Sequence, residues 1–290
     1  MSRQDRSSTL RAALWMVGSI ASFTFMAVGG RAVADVHDTF EIMLYRSVVG
    51  VILVVGVGAL MGKLGEVTTR NLRFQILRNM AHFTGQNLWI LAVTLIPLAQ
   101  VFALEFTSPL WVLVLAPLIL GERVRPIQYA VAALGFAGVL LVARPFSGQF
   151  DTGLIWAGLA AVFFALTNLM TRRLTRDETV MGILFWLTTL QLIFGLVCAG
   201  YDGDIALPTW ATLPWVTAIG LAGLCAHFCL TNALALAPAS TVMPVDFARL
   251  PLIALIGVLV YNEVLEPMIL IGGAVIIAAA WANLKLAERS

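Results

Sequence analysis

The chain is short of charge. Only 12% of its 290 residues are Asp, Glu, Lys or Arg, whereas 60% are hydrophobic and the mean hydropathy is +0.92. A soluble domain carries about 25% charge, so a water-soluble fold is excluded and an integral membrane protein is left. Cysteine is scarce too. Cys198, Cys225 and Cys229 are odd in number and sit in apolar runs, which excludes a disulfide framework. No G-x-x-x-x-G-K-[ST] occurs, so no P-loop for a nucleotide is expected. Neither H-E-x-x-H nor G-x-S-x-G occurs, which leaves an intramembrane enzyme without a nucleophile or metal constellation. His227 lies between Cys225 and Cys229, but residues two apart on a helix point about 200° from each other, so neither a metal nor a cofactor is expected. Soluble domains, low-complexity tracts and long linkers are missing as well. Met1–Leu10 is polar and precedes a run long enough to span and stay, so no cleavable signal is expected.

What is present is hydrophobic runs of spanning length. A membrane helix needs about 20 apolar residues. The runs predict an all-α integral membrane protein of ten helices: Arg11–Gly30, Thr39–Met61, Leu72–Leu95, Leu98–Leu120, Arg125–Ala143, Thr152–Thr171, Thr179–Ala199, Leu213–Leu236, Ser240–Tyr261 and Glu266–Lys285. Orientation follows Lys and Arg. With a cytoplasmic N-terminus, the inner segments hold fourteen of them, Arg73, Arg78, Arg123, Arg125 and Arg172 included, against Arg31 and Arg144 outside. Both termini of this multi-pass protein are therefore expected in the cytoplasm.

The chain is also written twice. Pro97–Pro126 returns 141 positions later as Pro238–Pro267, aligning Val101 with Val242, Phe106 with Phe247, Glu122 with Glu263, and Glu105 with Asp246. The same offset sets Trp15 on Trp156 and Phe23 on Phe164. Five spans per copy is an odd number, so the second copy enters the membrane upside down. Residues 1–143 and 144–290 are thus read as two inverted five-helix repeats around a central cavity. That is a transporter architecture, with the substrate held near the midplane.

The runs ALEFTSPLWVLVLAPLILGERVRP and VDFARLPLIALIGVLVYNEVLEP resemble the paired signatures of the drug/metabolite transporter superfamily, EamA type. The resemblance covers the whole chain and implies ten helices around a cavity walled by the third, fourth, eighth and ninth spans. Among members it is most similar to bacterial aromatic amino acid exporters, and the run FTSPLWVLVLAPLILGERV is also similar to S-adenosylmethionine transporters. It implies a secondary transporter of a small metabolite, working by alternating access. A nucleotide-like substrate is the alternative.

Ionisable residues inside spans are functional candidates by default. Asp246 and Arg249 are three apart and share a helix face, either as a structural ion pair or as a dipole that meets a zwitterion. Arg46 and Glu105 lie at similar depth at 1.5 Å per residue, which predicts a pair between them. Left unpaired, Glu105 is a candidate carrier of a coupling proton. His82, Gln86 and Trp89 form a polar, aromatic stripe with a gap at Gly85, either a cavity wall or a polar seam between helices. His227 is the other histidine deep in a span. Tyr45 and Trp111 neighbour Arg46 and the Glu105 turn, and Pro97 and Pro238 sit in the tight turns before the fourth and ninth spans. Small residues at four-residue spacing, Ala133 and Ala137 and then Ala274 and Ala278, would let helices approach closely within a monomer or across a homodimer.

Overall fold

A computed structural model describes residues 3–33, 36–96, 98–143, 152–201, 203–261 and 267–288. Every regular element among the described residues is helical: α1 (Arg3–Val33), α2 (Thr39–Leu60), α3 (Leu72–Leu95), α4 (Leu98–Glu105), α5 (Ser108–Leu120), α6 (Pro126–Ala143), α7 (Thr152–Leu174), α8 (Val180–Ala199), α9 (Leu213–Leu236), α10 (Ala239–Val242), α11 (Arg249–Tyr261) and α12 (Pro267–Glu288). Six stretches are long and apolar enough to cross a membrane: Ser8–Gly30, Thr39–Leu60, Val101–Leu120, Thr152–Leu174, Val180–Ala199 and Leu213–Leu236. Helix α3 is long enough, but Gln75, Arg78, Asn79, His82 and Gln86 run along it and lower its hydropathy.

Local chemistry sets the ends. Asp38 and Glu41 form a reciprocal capping box that starts α2. The Thr179 side chain accepts from the Gly182 N–H and starts α8. Helix α5 stops at Gly121, whose φ of 66° is the left-handed conformation that favours glycine. Pro126 then opens α6, where a missing N–H costs nothing.

The fourth and ninth ranges, each expected as one helix, are broken. Pro109 has no N–H for the Glu105 carbonyl four residues back and its ring crowds that oxygen; the chain leaves the helix at Phe106–Thr107. In the second half Pro244 does the same to the Ser240 carbonyl, and Met243–Ala248 winds as a 3-10 helix between α10 and α11. The oxygens so released are met from α12, where Asn283 Nδ2 donates to Ser240 O at 3.3 Å and Thr241 O at 3.2 Å. In a bilayer such backbone groups must find a protein partner, because no water is available.

The main helix pairs are α1 with α9, α3 with α7, α2 with α8 and α6 with α12. Close approach uses glycine. A methyl on Gly220 would lie 2.7 Å from Val49 Cβ, and one on Gly223 would lie 3.0 Å from Arg46 Cδ. These gaps let α2 sink against α9 and carry Arg46 inward. Helices α6 and α12 meet through Gly138, where a methyl would strike the Gly272 carbonyl at 2.9 Å. The expected alanine stripes are not that contact: Ala133, Ala137, Ala274 and Ala278 are exposed on the opposite faces.

Candidate functional site

Two buried polar clusters occupy the interior. The first gathers at the broken helices. Arg249, opening α11, forms ion pairs with Glu105 at the end of α4 and with Asp246 at 3.1 Å. Trp89 Nε1 on α3 donates to the other Glu105 oxygen at 2.7 Å. The guanidinium lies over two rings, 4.9 Å from the centroid of Phe106 and 5.7 Å from that of Phe23. The two helix breaks thus bring the two aligned acids onto one arginine.

The second cluster forms where α1, α2, α3, α7, α8 and α9 meet. The rings of His82 and His227 stand edge to face, centroids 4.8 Å apart. Both residues are buried, 5% and 4% exposed, and none of their four ring nitrogens has a hydrogen-bond partner among the described residues. Aromatic neighbours enclose them: Phe23 is 5.3 Å from His227 and Phe164 is 6.3 Å from His82. Arg46 reaches the cluster from α2. Its Nη1 lies 3.5 Å from Met26 Sδ. With the Gln86 carboxamide turned so that both its ends are satisfied, the Gln86 oxygen accepts from Arg46 Nη1 and Nη2 at 2.9 and 3.0 Å. Arg46, Ser47, Thr188, Gln191 and His227 line a gap of about 20 Å³ between α2, α8 and α9. It has room for about one water molecule.

Arg78 extends the cluster one turn along α3. It was counted with the inner-segment charges, yet its side chain is 1% exposed. It donates from Nε to Thr171 Oγ1 and from Nη1 to Asn79 Oδ1, each at 3.0 Å. Gln191 Nε2 bonds the Asn79 carbonyl at 3.1 Å. This polar seam was missed because charge counting registers where an arginine falls in the sequence and not which way the helix turns it. The signal was present: Gln75, Arg78, His82 and Gln86 follow a three- and four-residue spacing.

Other expected residues go elsewhere. The Arg46–Glu105 pair does not form, because Arg46 goes to Gln86 and Met26 whereas Glu105 takes Arg249 and Trp89. Depth along a helix carries no information about azimuth. Glu105 is therefore a paired acid. Trp111 is 41% exposed on the outer side of α5, away from both clusters. Tyr45 donates to the Ala206 carbonyl at 2.5 Å, in the connection before α9. Pro238 is extended (φ −56°, ψ 145°) and precedes α10, whereas Pro97 lies outside the described residues. Cys225 is exposed and Cys229 is buried.

Both ends of the bundle are latched. At the α2 N-terminal end, Glu41 accepts from the backbone N–H of Ala206 at 2.5 Å and meets His37 at 3.3 Å; His37 also reaches Thr212 at 3.1 Å. At the opposite end, Glu178 accepts from Thr68 and Asn71, and Arg172 pairs with Glu122 at 3.3 Å while donating to the Ala235 carbonyl at 3.2 Å. These contacts tie the two halves of the chain together at both ends of the bundle.

Comparison with known proteins gives the family. Residues 10–144 and 151–284 each match the EamA-like transporter family. A riboflavin transporter of Rhizobium johnstonii is 35% identical over 202 residues, 68% of this chain and 65% of that one. An S-adenosylmethionine uptake transporter of Rickettsia prowazekii is 23% identical over 270 residues, 91% of this chain and 89% of that one. A crystal structure superposes with a TM-score of 0.80 over 96% of this chain and 98% of that one, at 18% identity, and so shares the fold. The chain is a member of the EamA-like transporter family, in the drug/metabolite transporter superfamily, and a multi-pass membrane transporter.

Proposed function

We propose that this transporter carries a flat, nitrogen-containing aromatic metabolite across the bacterial inner membrane by alternating access, driven by a gradient. The observation that carries the reading is the His82–His227 pair. Four buried ring nitrogens without partners would be expensive to keep unless something fills them in the working cycle. Their surroundings, Phe23 and Phe164, are aromatic faces suited to a flat ring. The R. johnstonii relative is named for riboflavin and the R. prowazekii relative for S-adenosylmethionine, and both compounds contain a fused nitrogen heterocycle. These names favour such a ring over the aromatic amino acid expected from the sequence.

The architecture we propose is ten spans in two inverted repeats, residues 1–143 and 144–290, with both termini cytoplasmic. Two observations support it. The family matches the chain twice. The packing is also reciprocal under the 141-residue offset: exchanging the halves turns the α1–α9 pair into the α7–α3 pair, while α2–α8 and α6–α12 each join a helix to its counterpart. Rocking of one half against the other would release the His37–Thr212 and Glu41–Ala206 contacts on the outer side and the Arg172–Glu122 latch on the inner side in turn.

Counterflow in proteoliposomes tests the substrate class, with riboflavin, S-adenosylmethionine and phenylalanine as loaded solutes. We expect labelled solute to accumulate for a fused heterocycle, and accumulation to be lost in His82→Ala. A monodisperse protein that exchanges none of the three would sink the substrate class. Topology is tested separately. A cysteine placed at Asp202 is expected to react with an impermeant maleimide in intact cells, and reaction only after lysis would reverse the orientation.

A further inference from the structure

We infer that the central site takes an anionic group, a carboxylate or phosphate, held between Arg46 and Arg78 on either side of the histidine pair. This rests on the ring-binding reading above and adds the charge of the substrate to it.

The inference starts from an imbalance. Among the described residues, the ion pairs are His37–Glu41, Arg172–Glu122 and Arg249 with Glu105 and Asp246. None reaches Arg46 or Arg78. The partners of Arg46 are a carboxamide oxygen and a thioether, and those of Arg78 are a hydroxyl and a carboxamide oxygen. Neutral acceptors satisfy N–H geometry but leave the charge uncompensated. A guanidinium inside a bilayer is costly in that state and is normally paired. Here two are left, on α2 and α3, and Arg46 lines the small gap beside His227.

No neighbouring element supplies the missing charge. On α1 the cluster is met by Met26 and Phe23, on α8 by Thr188 and Gln191, and on α7 by Thr171 and Phe164. Helix α9 contributes His227. The one acid on α2 is Glu41, five residues outward from Arg46 and already engaged with His37 and two backbone N–H groups. Both carboxylates near the helix breaks belong to Arg249.

The spacing fits one ligand. Arg78, His82 and Gln86 follow each other at four-residue steps on α3, about 6 Å of rise apiece. Arg46 is bound to Gln86, so one guanidinium lies about a turn to each side of the imidazoles. A ring between His82 and His227 would carry its acidic substituent into reach of one arginine or the other. An anion arriving from either face of the membrane meets a guanidinium before the histidines. That is the placement an alternating-access cycle needs.

The test compares compounds that differ in charge alone, read as thermal stabilisation of the purified full-length protein in detergent. The pairs are indole-3-acetate against indole-3-acetamide, flavin mononucleotide against riboflavin, and, without a ring, glutarate against glutaramide. We expect the anion of a ring-bearing pair to stabilise at concentrations about tenfold or more below its neutral twin, the scale of a charged hydrogen bond. Arg46→Gln and Arg78→Gln should erase that preference, and Arg46→Lys should keep it. Ring compounds that stabilise equally with and without charge would overturn the anion inference and leave the ring reading standing. Glutarate acting as strongly as indole-3-acetate would keep the anion inference and remove the ring reading. A wild type stabilised by no anion above its neutral twin overturns the inference, as does a preference that survives in both glutamine variants.

Discussion

The two buried clusters touch the same ring, Phe23, but differ in how completely their polar groups are met. Around Arg249 nearly every group has a partner: two carboxylates meet one guanidinium, Trp89 caps the second Glu105 oxygen, and Phe106 lies under the charge. Its members come from both halves of the chain, so it ties the two broken helices together. Around His82 and His227 the opposite holds, with four vacant nitrogens and arginines that have only neutral partners. A membrane interior has no water to hide such a deficit. A satisfied network there is framework, and an unsatisfied one is where a ligand completes the structure.

Removing an arginine from each cluster breaks the comparison most severely. Arg249→Met leaves Glu105 and Asp246 facing each other without a cation. We expect a loss of about 3–5 kcal/mol, the usual result of breaking a buried pair from one side, seen as a collapsed unfolding midpoint in detergent and poor recovery. Adding Glu105→Gln and Asp246→Asn to that variant should restore much of the midpoint, because the orphaned charges go with it. Arg46→Gln abandons no carboxylate and should stay within about 1 kcal/mol of the parent. Equal losses from the two arginines would erase the distinction between frame and site.

The histidines come next. His82→Ala and His227→Ala each remove a ring that bonds nothing in the closed state. Each is expected to lower counterflow by about tenfold or more while gel-filtration behaviour stays normal. The double variant should be little worse than either single one, since both serve one ligand and their effects are not additive. A His82→Ala protein that transports at the parental rate would make the pair a packing contact between α3 and α9.

The sequence was informative about where helices begin and end and poor about direction around them. The ranges Leu72–Leu95 and Leu213–Leu236 were read to the residue, because apolar runs and their flanks report where a helix enters and leaves. The His82, Gln86 and Trp89 stripe was readable from its spacing. Three things were not. The partner of Glu105 depended on which way α11 turns Arg249, and that is fixed by the 3-10 stretch Pro244 causes. The His82–His227 contact was hidden by the repeat itself, since the 141-residue offset aligns His227 with Gln86 and His82 with Gly223. The two histidines are not equivalents, and only the packing of α3 beside α9 brings them together. The burial of Arg78 was hidden because a charge count does not register which face of α3 it occupies.

Trp89 gives the smallest and most selective test, because it sits on the boundary. It shares the α3 stripe with His82 and Gln86, and from spacing alone it reads as a stacking wall for the substrate. The structure gives its indole another use. Nε1 is committed to Glu105 at 2.7 Å, and the ring packs edge to face on Phe102 at 5.7 Å. Trp89→Phe keeps an aromatic face and removes only the donor. If Trp89 belongs to the frame, the variant loses about 1 kcal/mol of stability, in the range of single polar contacts within membranes, and its transport constants stay near the parental ones. Trp89→Leu, which removes the aromatic face as well, should then cost further stability through lost packing with Phe102 and still leave KM unchanged. A KM that rises in Trp89→Leu but not in Trp89→Phe would instead assign the ring face to the substrate, and would move the boundary between the clusters from Phe23 to Trp89.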